Sequence, residues 1–333
     1  MAMNTRAPKH SATGVSTSGM HAKPATDTDT STAANAAKPA MSDKRRKVLI
    51  ALACFMLVIS ALAGTMPFIL MMGNHSAVSS MLDTHAQAVA AQDKALNKEL
   101  LKKASEYNTK LLGKEQNRIL GEAIDPFTDT VESFSAKDAD YNSQLNKPDD
   151  GIMARVIYPA VGIDQPIYHG TDYATLDKGA GHMYGTSLPV GGTGTHAVIS
   201  AHTGYADKLF FDRLHALGSK AKVGDVFYID VLGEELGYEV KDIRVVEPDD
   251  FSAFGIDPTK DQVTLMTCTP YGVNTQRLLV TGERVALPSQ APFSKDAKAN
   301  TGQSWMLVFV IVFWVLVAGV IALAIYRLIK AKR

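Results

Sequence analysis

Hydrophobic positions along the chain fall into three patterns. Two unbroken runs, "VLIALACFMLVISALAGTMPFILMM" at 48–72 and "WMLVFVIVFWVLVAGVIALAIY" at 305–326, carry no charged residue. A bilayer core takes about 20 apolar residues of helix, and a buried soluble helix rarely runs so long without charge. Both runs predict transmembrane helices. A second pattern is helical: Leu96, Leu100, Tyr107 and Leu111 share one face, widened by Leu101 and Leu112. It predicts one or two amphipathic helices between about 86 and 123, packed on the domain or forming a membrane-proximal stalk. The third pattern is short and β-branched. "ARVIYPAVGIDQPIY", "THAVISAH", "DVFYIDVL", "YEVKDIRVVE", "QVTLMTC" and "RLLVTGERVAL" are separated by Gly, Pro and Asp turns. That spacing, from 153 to about 287, suits an all-β barrel or sandwich. "DKLFFDRLHAL", 207–217, has helical spacing and predicts a short insert.

The polar stretches complete the layout. Residues 1–43 have almost no large apolar side chains and cannot bury a core, which predicts a disordered tail; His10 and His21 are too isolated there for a metal site. Periodicity disappears again between 125 and 150, where "DPF" opens a stretch of Asp, Ser, Lys and Pro. An irregular segment of that length is usually functional or a linker. Residues 288–304 read as a polar linker. The chain is thus organised as 1–47 cytoplasmic tail, 48–72 membrane helix, 73–124 helical segment, 125–150 irregular segment, 151–287 β domain, 288–304 linker, 305–326 membrane helix and 327–333 basic tail.

Charge orients this layout. "KRRK" at 44–47 precedes the first apolar run, and Arg327, Lys330, Lys332 and Arg333 follow the second. The positive-inside rule puts both termini in the cytoplasm and residues 73–304 outside, with Trp305 and Tyr326 as interfacial aromatics. A cleavable signal peptide is the weaker reading of the first run, which is long for one. Across 333 residues, 34 Lys and Arg balance 34 Asp and Glu. That argues against nucleic acid as a partner, since phosphate binding needs a basic excess on some face.

Two cysteines are present, Cys54 and Cys268. The first lies in a membrane run and the second in the outer domain, so they cannot pair within one chain. Cys268 is then a buried core residue, an intermolecular partner or a reactive thiol. A thiol nucleophile needs a base and a donor for its anionic intermediate. The β domain offers His169, His182, His196, His202 and His215. His202 follows a strand and opens a loop, where side chains project into sites, whereas His196 starts that strand and reads as structural. Arg277 follows Cys268 by nine positions; if 269–275 connect two strands, it starts the second strand beside the end of the first. Its guanidinium is a fixed fork of donors; the rival reading is a surface arginine in a salt bridge. No phosphate loop or metal-ligand cluster is present, so neither a cofactor nor a metal is expected.

"TLMTC" ending a strand, "NTQRLLVTGER" after it and "ISAHTG" before it resemble the sortase family. The longer "TCTPYGVNTQRLLVTGER" and "TSLPVGGTGTHAVISAHTG", with the two membrane helices, resemble its class C, pilin-polymerising branch. The resemblance spans 153–287 and departs in Gln276, where many relatives have His. It implies a mostly β fold: an eight-stranded barrel with N-terminal helices and a lid, flanked by two transmembrane helices. It implies Cys268 as nucleophile, His202 as acid/base and Arg277 as oxyanion and substrate holder. It also gives "DPF" a meaning, with Asp125 pairing with Arg277 and Phe127 covering Cys268 in a lid over 125–150; the rival is an ordinary Asp-Pro turn.

The implied activity is a cysteine transpeptidase of the cell membrane. It cuts an LPXTG-type sorting signal between Thr and Gly, holds the acyl group as a thioester and passes it to a pilin lysine. Partners would be LPXTG-bearing pilin subunits, as donors and acceptors. Two rival readings stand beside it: the same chemistry anchoring proteins to cell-wall peptide, and a non-catalytic membrane-tethered β domain.

Overall fold

The computed structural model describes residues 42–113, 134–203, 211–215, 220–270, 272–287 and 301–330, with backbone only at 67–68, 70–76 and 301–306. The chain divides into two units, Met1–Leu49 and Ile50–Arg333. Of the first, residues 42–49 are described; they form the start of a helix in which Lys47 pairs with Asp43 at 2.6 Å.

Helix α1 runs Asp43–Ala91, followed by α2, Lys94–Gly113. The stretches Asp43–Met66 and Leu307–Lys330 are long and apolar enough to cross a membrane, and little of either is buried. The second lies in the C-terminal helix, Thr301–Lys330. The first does not end with the apolar run: helical hydrogen bonding continues through the polar residues to Ala91. There Leu82 and Val89 are buried, and His85 Nδ1 meets Asp150 Oδ2 at 2.6 Å.

The amphipathic stripe of α2 is centred differently from its leucine spacing. Leu100, Leu101 and Tyr107 pack on the core around buried Ala104 and Asn108, while Leu96 is exposed. Asn108 does what a leucine could not. Its Nδ2 donates to the Leu188 carbonyl at 3.0 Å, and its Oδ1 accepts the Leu188 N–H at 2.7 Å. A connecting segment's backbone groups, which need partners once buried, are thereby satisfied from the helix.

The segment before the β domain is not structureless where it is described. Two short helices, α3 (Phe134–Lys137) and α4 (Ala139–Ser143), stand there, the second capped by Asp138 accepting the Tyr141 N–H. Helices of four and five residues are too short to show a period. Tyr141 anchors them. It is fully buried, its hydroxyl lies 2.9 Å from His182 Nδ1 and accepts the Gly170 N–H at 3.0 Å. Residues 114–133, with Asp125 and Phe127, lie outside the described residues.

Eight strands follow: β1 (Ile152–Tyr158), β2 (Ile163–His169), β3 (Ala180–His182), β4 (Thr195–Ser200), β5 (Val226–Val231), β6 (Glu234–Val246), β7 (Asp261–Thr269) and β8 (Gln276–Val285). They close in the order β1-β2-β3-β4-β7-β8-β6-β5, a barrel rather than a sandwich. Closure removes free edges. The β2–β3 and β4–β7 pairs are parallel and the rest antiparallel. A short helix, α5 (Tyr173–Leu176), connects β2 to β3. In the 207–217 stretch, the described part holds a 3-10 turn at Asp212–Leu214 rather than an α-helix.

Alternation along the strands makes two apolar layers. Ala197, Ile199, Leu265, Leu278 and Val280 belong to the main core, with Val156 and Phe227. Val198 and Leu279, between them in sequence, join Met183 and Phe254 in a second cluster on the other face of the wall. Because both faces are covered, β4 is buried at every position, and its centre, Ala197, Val198 and Ile199, is apolar on both faces.

Candidate active site

The second face carries the chemistry-bearing residues. Strands β7 and β8 pair so that Cys268 lies directly opposite Arg277. The turn between them closes through Val273 and Asn274 N–H bonds to the Pro270 carbonyl. Arg277 therefore begins the second strand beside the end of the first, as its spacing from Cys268 predicts. Counting by two from Leu279 and Met266, which belong to the second cluster, puts both side chains on that face.

His202 reaches the same place from the neighbouring strand. The parallel pairing of β4 with β7 matches Ser200 to Met266, so the next two steps bring His202 alongside Cys268. The ladder extends past the end of β4: the Ala201 N–H donates to the Met266 carbonyl at 3.1 Å, and Thr267 Oγ1 donates to the Ala201 carbonyl at 2.8 Å.

The electrostatics favour neutral forms. Burial pushes the Cys268 thiol up, opposed by the positive charge of Arg277. Burial pushes the His202 imidazole down. The ring of Tyr173, on α5, stands edge-on to His202 with centroids 6.2 Å apart. Arg277 Nη1 donates to the Asn274 and Gln276 carbonyls at 3.1 and 3.0 Å. These bonds tie the guanidinium to the backbone at the start of β8, and its charge acts on the thiol. Gln276 donates to Glu247 at 2.8 Å. The arrangement suits a thiol nucleophile, a neighbouring imidazole to take its proton and a fixed cation for a developing oxyanion, with burial driving the two pKa values apart.

The other histidines are used in packing. His196 Nε2 meets Thr264 Oγ1 at 2.8 Å and its Nδ1 meets the Gly255 carbonyl at 3.0 Å, the structural part its position suggests. His182 is fully buried, and Nε2 faces the Ser187 carbonyl at 2.8 Å. His169 Nε2 faces the Gln144 carbonyl at 2.8 Å. Both brace the α3–α4 segment against the barrel. Sequence reasoning missed Tyr173, because "GTDYATL" carries no pattern that ties it to His202, twenty-nine positions later in the chain. It also gave no role to Thr203, Asp212 or His215, though His215 is among the histidines the β domain offers. Among the described residues, no group of His, Cys, Asp and Glu is placed to hold a metal.

Known proteins share this barrel and its sequence. Residues 156–285 match the profile described as a sortase domain. Sortase C-1 of Actinomyces oris is 43% identical, with a TM-score of 0.50 over 57% of this chain and 99% of that one. Sortase C of Streptococcus pneumoniae is 35% identical, with a TM-score of 0.53 over 64% of this chain and all (100%) of that one. Sortase D of Bacillus subtilis is 26% identical over 148 residues, 43% of this chain and 70% of that protein. The chain belongs to the sortase family, whose members are cysteine transpeptidases.

Proposed function

We propose that this sortase is a membrane-anchored, pilin-polymerising transpeptidase in which Cys268, His202 and Arg277 do the chemistry. The observation that carries the reading is the register of Cys268 against Arg277, with His202 at the end of the adjoining parallel strand. The identity to sortase C-1 of Actinomyces oris supports the class. The Cys268 thiol gives its proton to His202, and the thiolate attacks the Thr carbonyl carbon of an LPXTG-type signal. Arg277 balances the oxyanion. His202 then protonates the leaving Gly amine as the Thr–Gly bond breaks, leaving a thioester. A pilin lysine amine attacks the thioester carbon and gives its proton to His202, and Cys268 departs as thiolate and regains its proton. Bond energy is held in the thioester, so no nucleotide is needed outside the cell.

In this reading, the basic residues flanking the two apolar helices keep both termini in the cytoplasm and the barrel outside. Asp125 and Phe127 form a lid, pairing with Arg277 and covering Cys268. The reading is supported by the way Tyr141 ties the following segment to the barrel. Asp125→Ala combined with Phe127→Ala should speed alkylation of Cys268 and hydrolysis of an LPXTG peptide; unchanged rates in the double variant would make the segment a linker.

The deciding experiment incubates the purified protein with a pilin that carries both a sorting signal and a candidate lysine, and separately with a cell-wall peptide amine. Covalent pilin multimers that vanish with Cys268→Ala are expected. Transfer to the wall peptide in preference to pilin would instead make the protein an anchoring enzyme. Multimers persisting in Cys268→Ala would remove the thiol from the chemistry.

A further inference from the structure

We propose that Thr203, Asp212 and His215 form a positioning chain that fixes where the His202 imidazole sits relative to Cys268. The inference rests on the reading of His202 and Cys268 as the acid/base and nucleophile. His202 lies two residues beyond the end of β4, so the strand ladder does not set its orientation by itself. Its N-terminal neighbour is held by the Ala201–Met266 and Thr267–Ala201 bonds. Its C-terminal side is held by different means. The His202 carbonyl accepts the Phe211 N–H at 3.1 Å. Thr203 Oγ1 donates to Asp212 Oδ1 at 3.1 Å and lies 3.1 Å from His215 Nε2.

The direction of these bonds follows from what each group can do. A carboxylate oxygen only accepts, so the single hydroxyl proton of Thr203 points to Asp212. The lone pair that remains accepts from His215, which must then carry its proton on Nε2. The hydroxyl is used on both sides, and its one geometry ties residue 203 to residues nine and twelve positions on. Thr203 is 2% exposed, so its hydroxyl relies on partners inside the protein. The residue beside the imidazole is thereby fixed from outside the strand. A displacement of about 1 Å in a catalytic group can cost on the order of 10²-fold in rate, so this clamp has consequences for the reaction without touching the substrate.

The full-length protein in detergent, with Thr203→Val, Thr203→Ser and Asp212→Ala, tests the proposal through two readouts. One is the rate of thioester formation with an LPXTG peptide, followed by mass. The other is the pH profile of Cys268 alkylation by iodoacetamide, which senses the imidazole without any peptide. Thr203→Val should slow thioester formation about 10- to 100-fold at unchanged KM and remove the part of the alkylation profile that follows His202. Thr203→Ser, which keeps the hydroxyl, should return both to within about three-fold of wild type. Asp212→Ala should shift both readouts in the direction of Thr203→Val, and it carries the test if the valine variant does not fold. Wild-type values for Thr203→Val, a serine variant as slow as valine, or an unaffected Asp212→Ala would each overturn the chain. A wild-type protein that ignores the peptide while its alkylation profile still depends on Thr203 would sink the substrate reading and leave the positioning chain standing.

Discussion

At the scale of single residues, burial sets the protonation states of the proposed pair. The Cys268 thiol is raised and the His202 imidazole lowered, so at pH 7 the neutral thiol and neutral imidazole dominate. The reactive thiolate–imidazolium form holds the same number of protons, so its small population is level across the interval between the two pKa values. The acid limb of the pH–rate profile should therefore lie below the ordinary imidazole value of about 6.5, and the alkaline limb above the ordinary thiol value of about 8.5. A measured alkaline limb below that of a free thiol would contradict this ordering. The charge of Arg277 is what keeps the thiol from rising further. Arg277→Lys preserves that charge but not the fork of donors, and should lower the rate of thioester formation by on the order of 10²-fold. Rates within a few-fold of wild type would take Arg277 out of the mechanism.

At the scale of elements, Asn108 is the test of how α2 is held. Both backbone groups of Leu188 depend on it. Asn108→Ala strands a buried donor and acceptor and should cost about 1–3 kcal/mol, read as a lower denaturation midpoint and faster proteolysis within α2. An unchanged midpoint would mean that the helix is held by its apolar stripe. That stripe also shows what the sequence disclosed. Its period was legible, but its centre was not, because Ala104 and Asn108 face the core while Leu96 stays exposed. Leucines advertise a face; an alanine that permits close approach and an asparagine that caps a foreign backbone do not. The placement of Arg277 beside Cys268 was legible because a short connection leaves few geometries. His202 was legible as a strand end, but Thr203, Asp212 and His215 were not, since hydrogen bonds between side chains leave no period. The continuation of α1 to Ala91 was missed because hydropathy reports where a membrane could end, not where a helix does.

At the scale of the whole molecule, acid should loosen the barrel. Burial, with His169 adding to it, holds the His182 imidazole down to about 4. The unfolded chain takes up that proton below about 6.5, before the folded one does. Stability is therefore full above pH 6.5 and is lost as pH falls toward 4, by roughly 3 kcal/mol for this group. His169 and His196, also lowered by burial, act in the same direction. Guanidinium denaturation followed by circular dichroism from pH 7 to 4 should show the decline, and His182→Gln should flatten it; equal slopes in the two proteins would assign the decline elsewhere. The proposed topology has its own measurement. With Cys54 replaced by serine and the lid variants present, a membrane-impermeant maleimide should label Cys268 on intact cells. Labelling that requires lysis would reverse the orientation.

The parallel pairing of β4 with β7 also bears on time. Sixty-six positions separate the matched residues Ser200 and Met266, and no hairpin can bring them together. Such contacts form late, because the entropy of closing a long loop must be met before they return anything. A nascent chain whose later strands are not yet in place has an imidazole and a thiol, but they are strangers. The pairing proposed for the chemistry arrives with completion of the barrel. In the proposed reading, damage that parts β4 from β7 leaves the thiol without its acid/base partner.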